Sequence, residues 1–131
     1  MNKLIIVDNE NNFRKGLKTI LQNIGNVDLI DEASNGEEFL QKLTENEYDL
    51  VFMDIKMPVM DGIEATRKAK QSHPDLIIIG FSSYESEYYR KIMIDAGAST
   101  FLSKLKNNYD ILTEILYHPE AFFNNKLFTN I

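Results

Sequence analysis

Four apolar runs in this chain each deliver one reactive polar residue. Leu4–Val7 runs into Asp8, Leu50–Met53 into Asp54, Leu76–Phe81 into Ser82, and Phe101-Leu102 leads through Ser103 to Lys104. Short unbroken apolar runs are the mark of strands buried on both faces, an arrangement found in parallel sheets that helices cover on either side. A parallel neighbour needs a crossover of roughly a dozen residues or more, and the stretches between these runs are long enough to supply it. The pattern therefore predicts an α/β sheet with helices on both faces. In such a sheet the four polar side chains gather at one edge, beyond the carboxyl ends of the strands, where ligands of open parallel sheets bind.

The segments between the runs read as follows. Asn11 or Asn12 can cap a helix whose apolar face is Phe13, Leu17, Ile20, Leu21 and Ile24, with Gly25 as its stop. Val27–Ala33 reads as an edge strand, and Asn35-Gly36 opens a helix carrying Phe39, Leu40 and Leu43. After the strand Asp49–Met53, a loop containing Pro58 and Gly62 precedes a short helix from Ile63 to about Gln71. His73-Pro74 closes that helix, because proline disfavours helical geometry in the residue before it. A helix from about Ser86 to Ala96 ends at Gly97, Ser99–Ser103 forms a short strand, and Tyr109–Tyr117 places Ile111, Leu112, Ile115 and Leu116 on one helical face. The sum is five strands alternating with five helices in one domain over residues 1–117, followed by a tail or the start of a linker over 118–131.

Charge and composition exclude several classes. With 20 acidic against 14 basic residues the formal charge is -6, and no Lys/Arg cluster offers a track for nucleic-acid phosphates. Nucleic-acid binding by this chain alone is not expected. Cysteine is absent, which excludes disulfides and thiolate metal sites and fits a reducing cytoplasmic setting. The apolar stretch after Lys3 stops at Asp8, too soon for a signal peptide, and no run approaches the roughly 20 apolar residues that span a bilayer. A soluble cytoplasmic protein with no membrane partner is the expectation.

Two carboxylates a few ångströms apart repel, so one of Asp8 and Asp54 protonates unless a cation sits between them. Magnesium takes one or two protein carboxylates and fills the rest of its shell with water and phosphate oxygens, which suits a site this sparse. Lys104 adds a point charge for a phosphoryl group. Each residue alone has an ordinary role: the aspartates as turn or cap residues, Ser82-Ser83 as a helix cap, Lys104 as a solvated charge. Their placement at four successive strand ends favours a shared site.

The residues that carry this chemistry also carry a resemblance. Leu4–Glu10 with its Val7-Asp8-Asn9-Glu10 ending, the segment Asp54-Ile55-Lys56-Met57-Pro58-Val59-Met60-Asp61-Gly62, Ser82, and Gly97-Ala98 with Phe101 and Lys104 resemble the receiver domain of bacterial two-component response regulators. The resemblance covers about residues 3 to 117. It implies a flavodoxin-like sheet of order 2-1-3-4-5 and a phosphorylation-dependent switch in a phosphorelay. Asp54 is then the phosphoacceptor, with Ser82 and Lys104 contacting the phosphoryl group. Mg2+ is implied at Asp8, Asn9, Asp54 and the Lys56 backbone carbonyl. Ser82 and Phe101 stand at the switch positions, while Lys56 and Tyr84 stand where the family tunes the hydrolysis rate. A solvated Lys56, a packing Tyr84 and a plain core Phe101 are the ordinary readings of those three. The implied partners are a sensor histidine kinase or phosphotransfer protein, and a downstream protein or output domain docking on the fourth helix, fifth strand and fifth helix. Homodimerisation on phosphorylation is a further implication. Such a domain is not an enzyme in the usual sense, since it catalyses only its own phosphorylation and dephosphorylation.

Two positions depart from the family pattern. Asn9 stands where most members have a second acidic residue, and an amide oxygen binds a hard cation less strongly than a carboxylate. Leu105 follows the lysine where many relatives have proline, which predicts a less rigid loop. Alternative readings remain. One is the N-terminal half of a helix-turn-helix transcriptional regulator, favoured by Leu105, by Phe81-Ser82-Ser83 and by His118–Phe123. Another is a degenerate receiver that binds proteins without phosphorylation, raised by Asn9. A flavin-binding module of similar topology lacks a phosphate-cradling loop after the first strand, where Asp8 and Glu10 would repel a phosphate.

Overall fold

The unbroken apolar runs fold as the inner strands of a single parallel sheet. The structure, a computed structural model, describes residues 2–84 and 86–124. Five strands, β1 (Lys3–Val7), β2 (Leu29–Ala33), β3 (Leu50–Met53), β4 (Ile77–Ser82) and β5 (Thr100–Ser103), lie in the order β2-β1-β3-β4-β5 with every neighbouring pair parallel. The helices between them are α1 (Asn11–Ile24), α2 (Gly36–Glu45), α3 (Gly62–Ser72), α4 (Glu87–Ala96) and α5 (Tyr109–Tyr117). Among the described residues no helix is long and apolar enough to cross a membrane.

Alternation along each strand divides the core in two. Ile5, Val7, Val51, Met53 and Ile78 face one side, where Phe39 and Leu43 of α2, Ala65 and Ala69 of α3 and Met93 of α4 close over them. Leu4, Ile6, Leu50, Phe52, Ile79 and Leu102 face the other, beneath Leu17 and Leu21 of α1 and Leu112 and Ile115 of α5. Because both faces are covered, the buried runs Leu4–Val7 and Leu50–Met53 of the central strands carry no polar residue. That is why the polar residues collect at the strand ends.

Capping fixes where the helices begin. Asn35, Asp61 and Ser86 accept hydrogen bonds from the amides of Glu38, Glu64 and Tyr89, each satisfying an amide of the first turn. At α1 the expected asparagine cap is replaced. Asn11 is already helical, Glu10 occupies the cap position without a side-chain bond, and the Glu10 amide donates instead to Asp8 Oδ1 at 2.8 Å.

The expected five helices are joined by a sixth, α6 (Pro119–Asn124), so the tail from 118 is helical as far as Asn124 and residues 125–131 lie outside the described residues. Proline suits the first helical position, where its missing amide costs nothing, and Phe122 buries itself against the α1/α5 layer. Six residues are too few to display helical periodicity, which is why the sequence pattern did not reveal it.

Candidate functional site

Strand register brings the acidic residues together. Val7 pairs with Met53, and the ladder continues one step further as the Asp54 amide donates to the Val7 carbonyl at 3.0 Å. Asp8 and Asp54 therefore leave adjacent strands side by side. They do so between β1 and β3, where the chain reverses its direction of travel across the sheet, the place at which doubly wound folds bind ligands. On the far side Ser82 pairs with Ser103, and the Lys104 amide donates to the Ser82 carbonyl at 2.9 Å. Lys104 then reaches back across the sheet edge. Its ammonium donates to Asp8 Oδ2 at 2.5 Å and lies 3.5 Å from Asp54 Oδ1.

This cluster is nearly dry. The side chains of Asp8, Asp54 and Lys104 are 1%, 8% and 8% exposed. Burial, and then the charge of Asp8, push the Asp54 carboxyl up to about 6, with Lys104 offsetting only part of the cost. For Lys104, burial opposes the charge, but the hydrogen bond to Asp8 and the negative charges of Asp54, Asp8 and Glu10 outweigh it and hold the ammonium above its ordinary range. Glu10 lies 3.6 Å from Lys104 but is 67% exposed, so its contribution is screened.

The loop after Asp54 is fixed by its own geometry. The Gly62 amide donates to the Ile55 carbonyl at 2.8 Å, and a Cβ at Gly62 would sit 1.7 Å from the Asp54 carbonyl oxygen. Any side chain there would displace the acidic strand end. Between them Val59 adopts φ 70 while the Met60 amide donates to the Pro58 carbonyl, a strained γ-turn that a β-branched residue rarely accepts.

The other predicted residues take different places relative to this centre. Ser82 is fully buried, and its Oγ accepts the Tyr84 amide at 3.0 Å, which leaves the hydroxyl proton free to donate elsewhere. Asn9 and Lys56 are exposed at the rim. Lys56 Nζ stands 5.5 Å from the Tyr84 ring centre and 5.2 Å from that of Tyr89. Phe101 is not among the carboxylates. Its ring lies inward in the α2–α4 layer, so close to Gly80 that a Cβ there would meet Phe101 Cδ1 at 2.6 Å. Leu105 changes the reading of its loop. Its amide donates to Ser103 Oγ at 3.1 Å, a bond that proline could not make, so the segment after Lys104 is tied down by other means.

Among the described residues no group of three or more His, Asp or Glu side chains is placed to hold a metal ion. Two buried, mutually repelling carboxylates nevertheless suit Mg2+, which asks for no more than that from protein side chains.

Residues 4–116 match the response regulator receiver domain family. The chain belongs to that family. It is 36% identical over 104 residues to the response regulator GacA of Pseudomonas syringae, covering 79% of this chain and 49% of that protein. To the transcriptional regulatory protein LnrK of Bacillus subtilis it is also 36% identical over 104 residues, covering 79% and 47%. The response regulator protein TrrA from Thermotoga maritima, solved in complex with Mg2+ and BeF, superposes with a TM-score of 0.78 at 34% identity over 88% of this chain and 96% of that one. The chain thus spans about half the length of GacA and LnrK. It is a receiver domain, a signalling domain by family.

Three residues of this receiver escaped the sequence reading. Arg14 donates through Nη1 to the Asp8 carbonyl at 2.5 Å and through Nε to Glu32 at 3.0 Å, pinning the acidic strand end to α1 and β2. An arginine one turn into the helix after an acidic strand end was the available signal. Phe13, read as part of the apolar face of α1, also offers its ring to Lys104 Nζ at 4.1 Å. Tyr89 is the third; nothing in its local sequence links it to Lys56.

Proposed function

We propose that this receiver accepts a phosphoryl group on Asp54 and passes the event on as a change of surface. The observation that carries the reading is the meeting of Asp8, Asp54 and Lys104 in one buried cluster, with the ammonium 2.5 Å from one carboxylate and 3.5 Å from the other. With its carboxyl at about 6, Asp54 is ionised in about nine molecules of ten at pH 7 and so available as a nucleophile.

Asp8 and Asp54 would hold Mg2+, with the Asn9 amide oxygen and the Lys56 carbonyl as further ligands. When bound, the cation neutralises charge on the phosphoryl oxygens. An Asp54 oxygen attacks phosphorus in line as the bond to a phosphohistidine nitrogen or an acyl oxygen breaks, and the leaving group departs with that electron pair. Lys104 turns from Asp8 toward the transferred oxygens. Ser82, its Oγ already bound by the Tyr84 amide, donates its proton to one of them.

The readout face is α4, β5 and α5. A cleft of about 290 Å³ opens there between Glu87, Arg90, Phe101, Lys106 and Phe122. Arg90 Nη1 donates to the Phe101 carbonyl at 3.3 Å, joining α4 to the strand that carries Phe101 and leads into Lys104. A shift of the Ser82 loop is therefore felt at Phe101, and Ser82 and Phe101 act as the switch pair. A sensor kinase or phosphotransfer protein would supply the phosphoryl group, and a downstream protein or output domain would meet this cleft, with homodimerisation on phosphorylation as one form of that response. The -6 charge supports protein rather than nucleic-acid partners, and the lack of cysteine supports a cytoplasmic setting. The receiver unit occupies 1–117, with 118–131 as tail or linker.

Exposure of the purified chain to acetyl phosphate and Mg2+, followed by mass spectrometry, tests the proposal. A single modification on Asp54, lost in Asp54→Ala, is expected. An unmodified chain under these conditions would favour the degenerate receiver.

A second reading has its own support: this is the phosphoacceptor half of a transcriptional regulator. LnrK carries that description, and the chain matches about half of it. The size of the native protein in a cell extract, by immunoblot against this domain, separates the two readings.

A further inference from the structure

We propose that Tyr89 is a positioning residue for the Asp54 site, holding the Lys56 ammonium across the mouth between two loops and so slowing hydrolysis of the phosphoryl group. The inference rests on Asp54 being the phosphoacceptor. Strands β3 and β4 are parallel neighbours with Met53 opposite Gly80, so the loops that leave Asp54 and Ser82 start side by side. Two residues along one stands Lys56; two along the other stands Tyr84, its amide bound to Ser82 Oγ. A contact between these loops spans the opening above the acceptor.

Lys56 makes that contact through its ammonium, which meets the Tyr89 hydroxyl as a hydrogen-bond partner as well as the ring. Its Nζ faces the Tyr89 ring at 5.2 Å and the Tyr84 ring at 5.5 Å, and the two rings lie 5.4 Å apart. Tyr89 is the fixed member. It sits in the first turn of α4, where its amide donates to the Ser86 cap at 3.2 Å, its ring packs partly buried against the α2–α4 layer, and Tyr88 braces it edge-on at 5.3 Å. Tyr84 is 48% exposed on the loop itself. The lysine is therefore anchored by a helix that does not carry the reacting groups.

Hydrolysis requires a water oxygen to attack phosphorus while the bond to Asp54 breaks, releasing inorganic phosphate and the free carboxylate. A lysine stem held over the opening obstructs that approach. Releasing it from an exposed cation–π contact should speed hydrolysis about two- to fivefold.

The test combines two measurements on five proteins: wild type, Tyr89→Phe, Tyr89→Leu, Lys56→Met and the double variant Tyr89→Leu/Lys56→Met. In the unphosphorylated chain, NMR should find the Lys56 Hε protons shifted upfield by the ring in wild type and Tyr89→Phe, and unshifted in Tyr89→Leu. After acetyl phosphate loading, the phosphoryl lifetime should fall about two- to fivefold in Tyr89→Leu, fall by less in Tyr89→Phe, which keeps the ring and loses the hydroxyl, and not fall further when Tyr89→Leu is added to Lys56→Met. An unshifted Lys56 in wild type, or equal lifetimes in wild type and Tyr89→Leu with Asp54 modified, overturns the positioning role alone. A wild-type chain that takes no phosphoryl group on Asp54 overturns the reading beneath it.

Discussion

Asp54→Asn should make the folded chain more stable at neutral pH, although it removes the proposed acceptor. The magnitude comes from the pocket. Burial and the neighbouring Asp8 raise the Asp54 carboxyl from 3.8 to about 6, a penalty on the charged form that Lys104 only partly offsets. Converted in full, that difference is about 3 kcal/mol, and relaxation around the ionised group lowers it, so a gain of roughly 1–3 kcal/mol is expected. The sign is set by proton binding. Between about pH 4 and 6 the folded wild type keeps a proton on Asp54 that the unfolded chain has released, so wild-type stability falls as pH rises through this window. Above it the loss is complete; below it there is none. Asparagine does not titrate, so the difference between variant and wild type should be small near pH 4, grow to about pH 6 and stay level beyond. Urea unfolding of both proteins at a series of pH values follows this curve, because titrating groups away from the pocket cancel in the difference. Mg2+ at pH 7.5 should stabilise wild type more than the variant. A difference independent of pH, or a variant less stable at pH 7.5, would refute the electrostatic account of the pocket.

Other consequences are simpler. Thr66, fully buried in α3, has a hydroxyl with no hydrogen-bond partner among the described residues; Thr66→Val should therefore raise stability by about 1 kcal/mol in urea unfolding, and a loss would reveal a hidden partner. Gly80→Ala should cost about 1–3 kcal/mol by crowding the Phe101 ring, and Phe101→Leu should return part of it, so strictly additive losses would speak against the contact. Asn9→Asp should tighten Mg2+ binding measured by calorimetry on the unphosphorylated chain, and equal affinities would dismiss the weakening assigned to the amide.

The central strands and the strand-end residues were legible because burial on both faces writes itself into sequence. Leu4–Val7 and Leu50–Met53 admit no polar interruption, so Asp8 and Asp54 stand out as the first residues free to be polar. The convergence of Lys104 on them follows from register, which alternating helices and strands largely dictate. What stayed hidden was of another kind. Phe13 meets Lys104, and Lys56 meets Tyr89, across long separations in the chain, while helical spacing assigns an aromatic to the core whether or not its other face holds a cation. The cap of α1 is hidden for a related reason. Asp8 takes the Glu10 amide, and nothing in helical spacing marks a strand-end carboxylate as a partner for the turn that opens the next helix.

The position of Lys104 explains why the proposed acceptor, Asp54, is both costly and usable. Its shortest bond goes to Asp8, at 2.5 Å, and Asp54 receives only the longer 3.5 Å contact. The one buried cation of the cluster is thus spent mainly on the neighbour, and Asp54 ionises against burial and against Asp8 with incomplete compensation. Any positive charge that enters the pocket recovers the deficit, so the free energy lost from the fold becomes affinity for the ligand. A cation held at Asp8 would release Lys104, since a flexible four-carbon stem carries its ammonium and the Leu105 amide's hydrogen bond to Ser103 fixes the backbone beside it. A pocket with Lys104 bound equally to both aspartates would be more stable and would hold a cation less tightly.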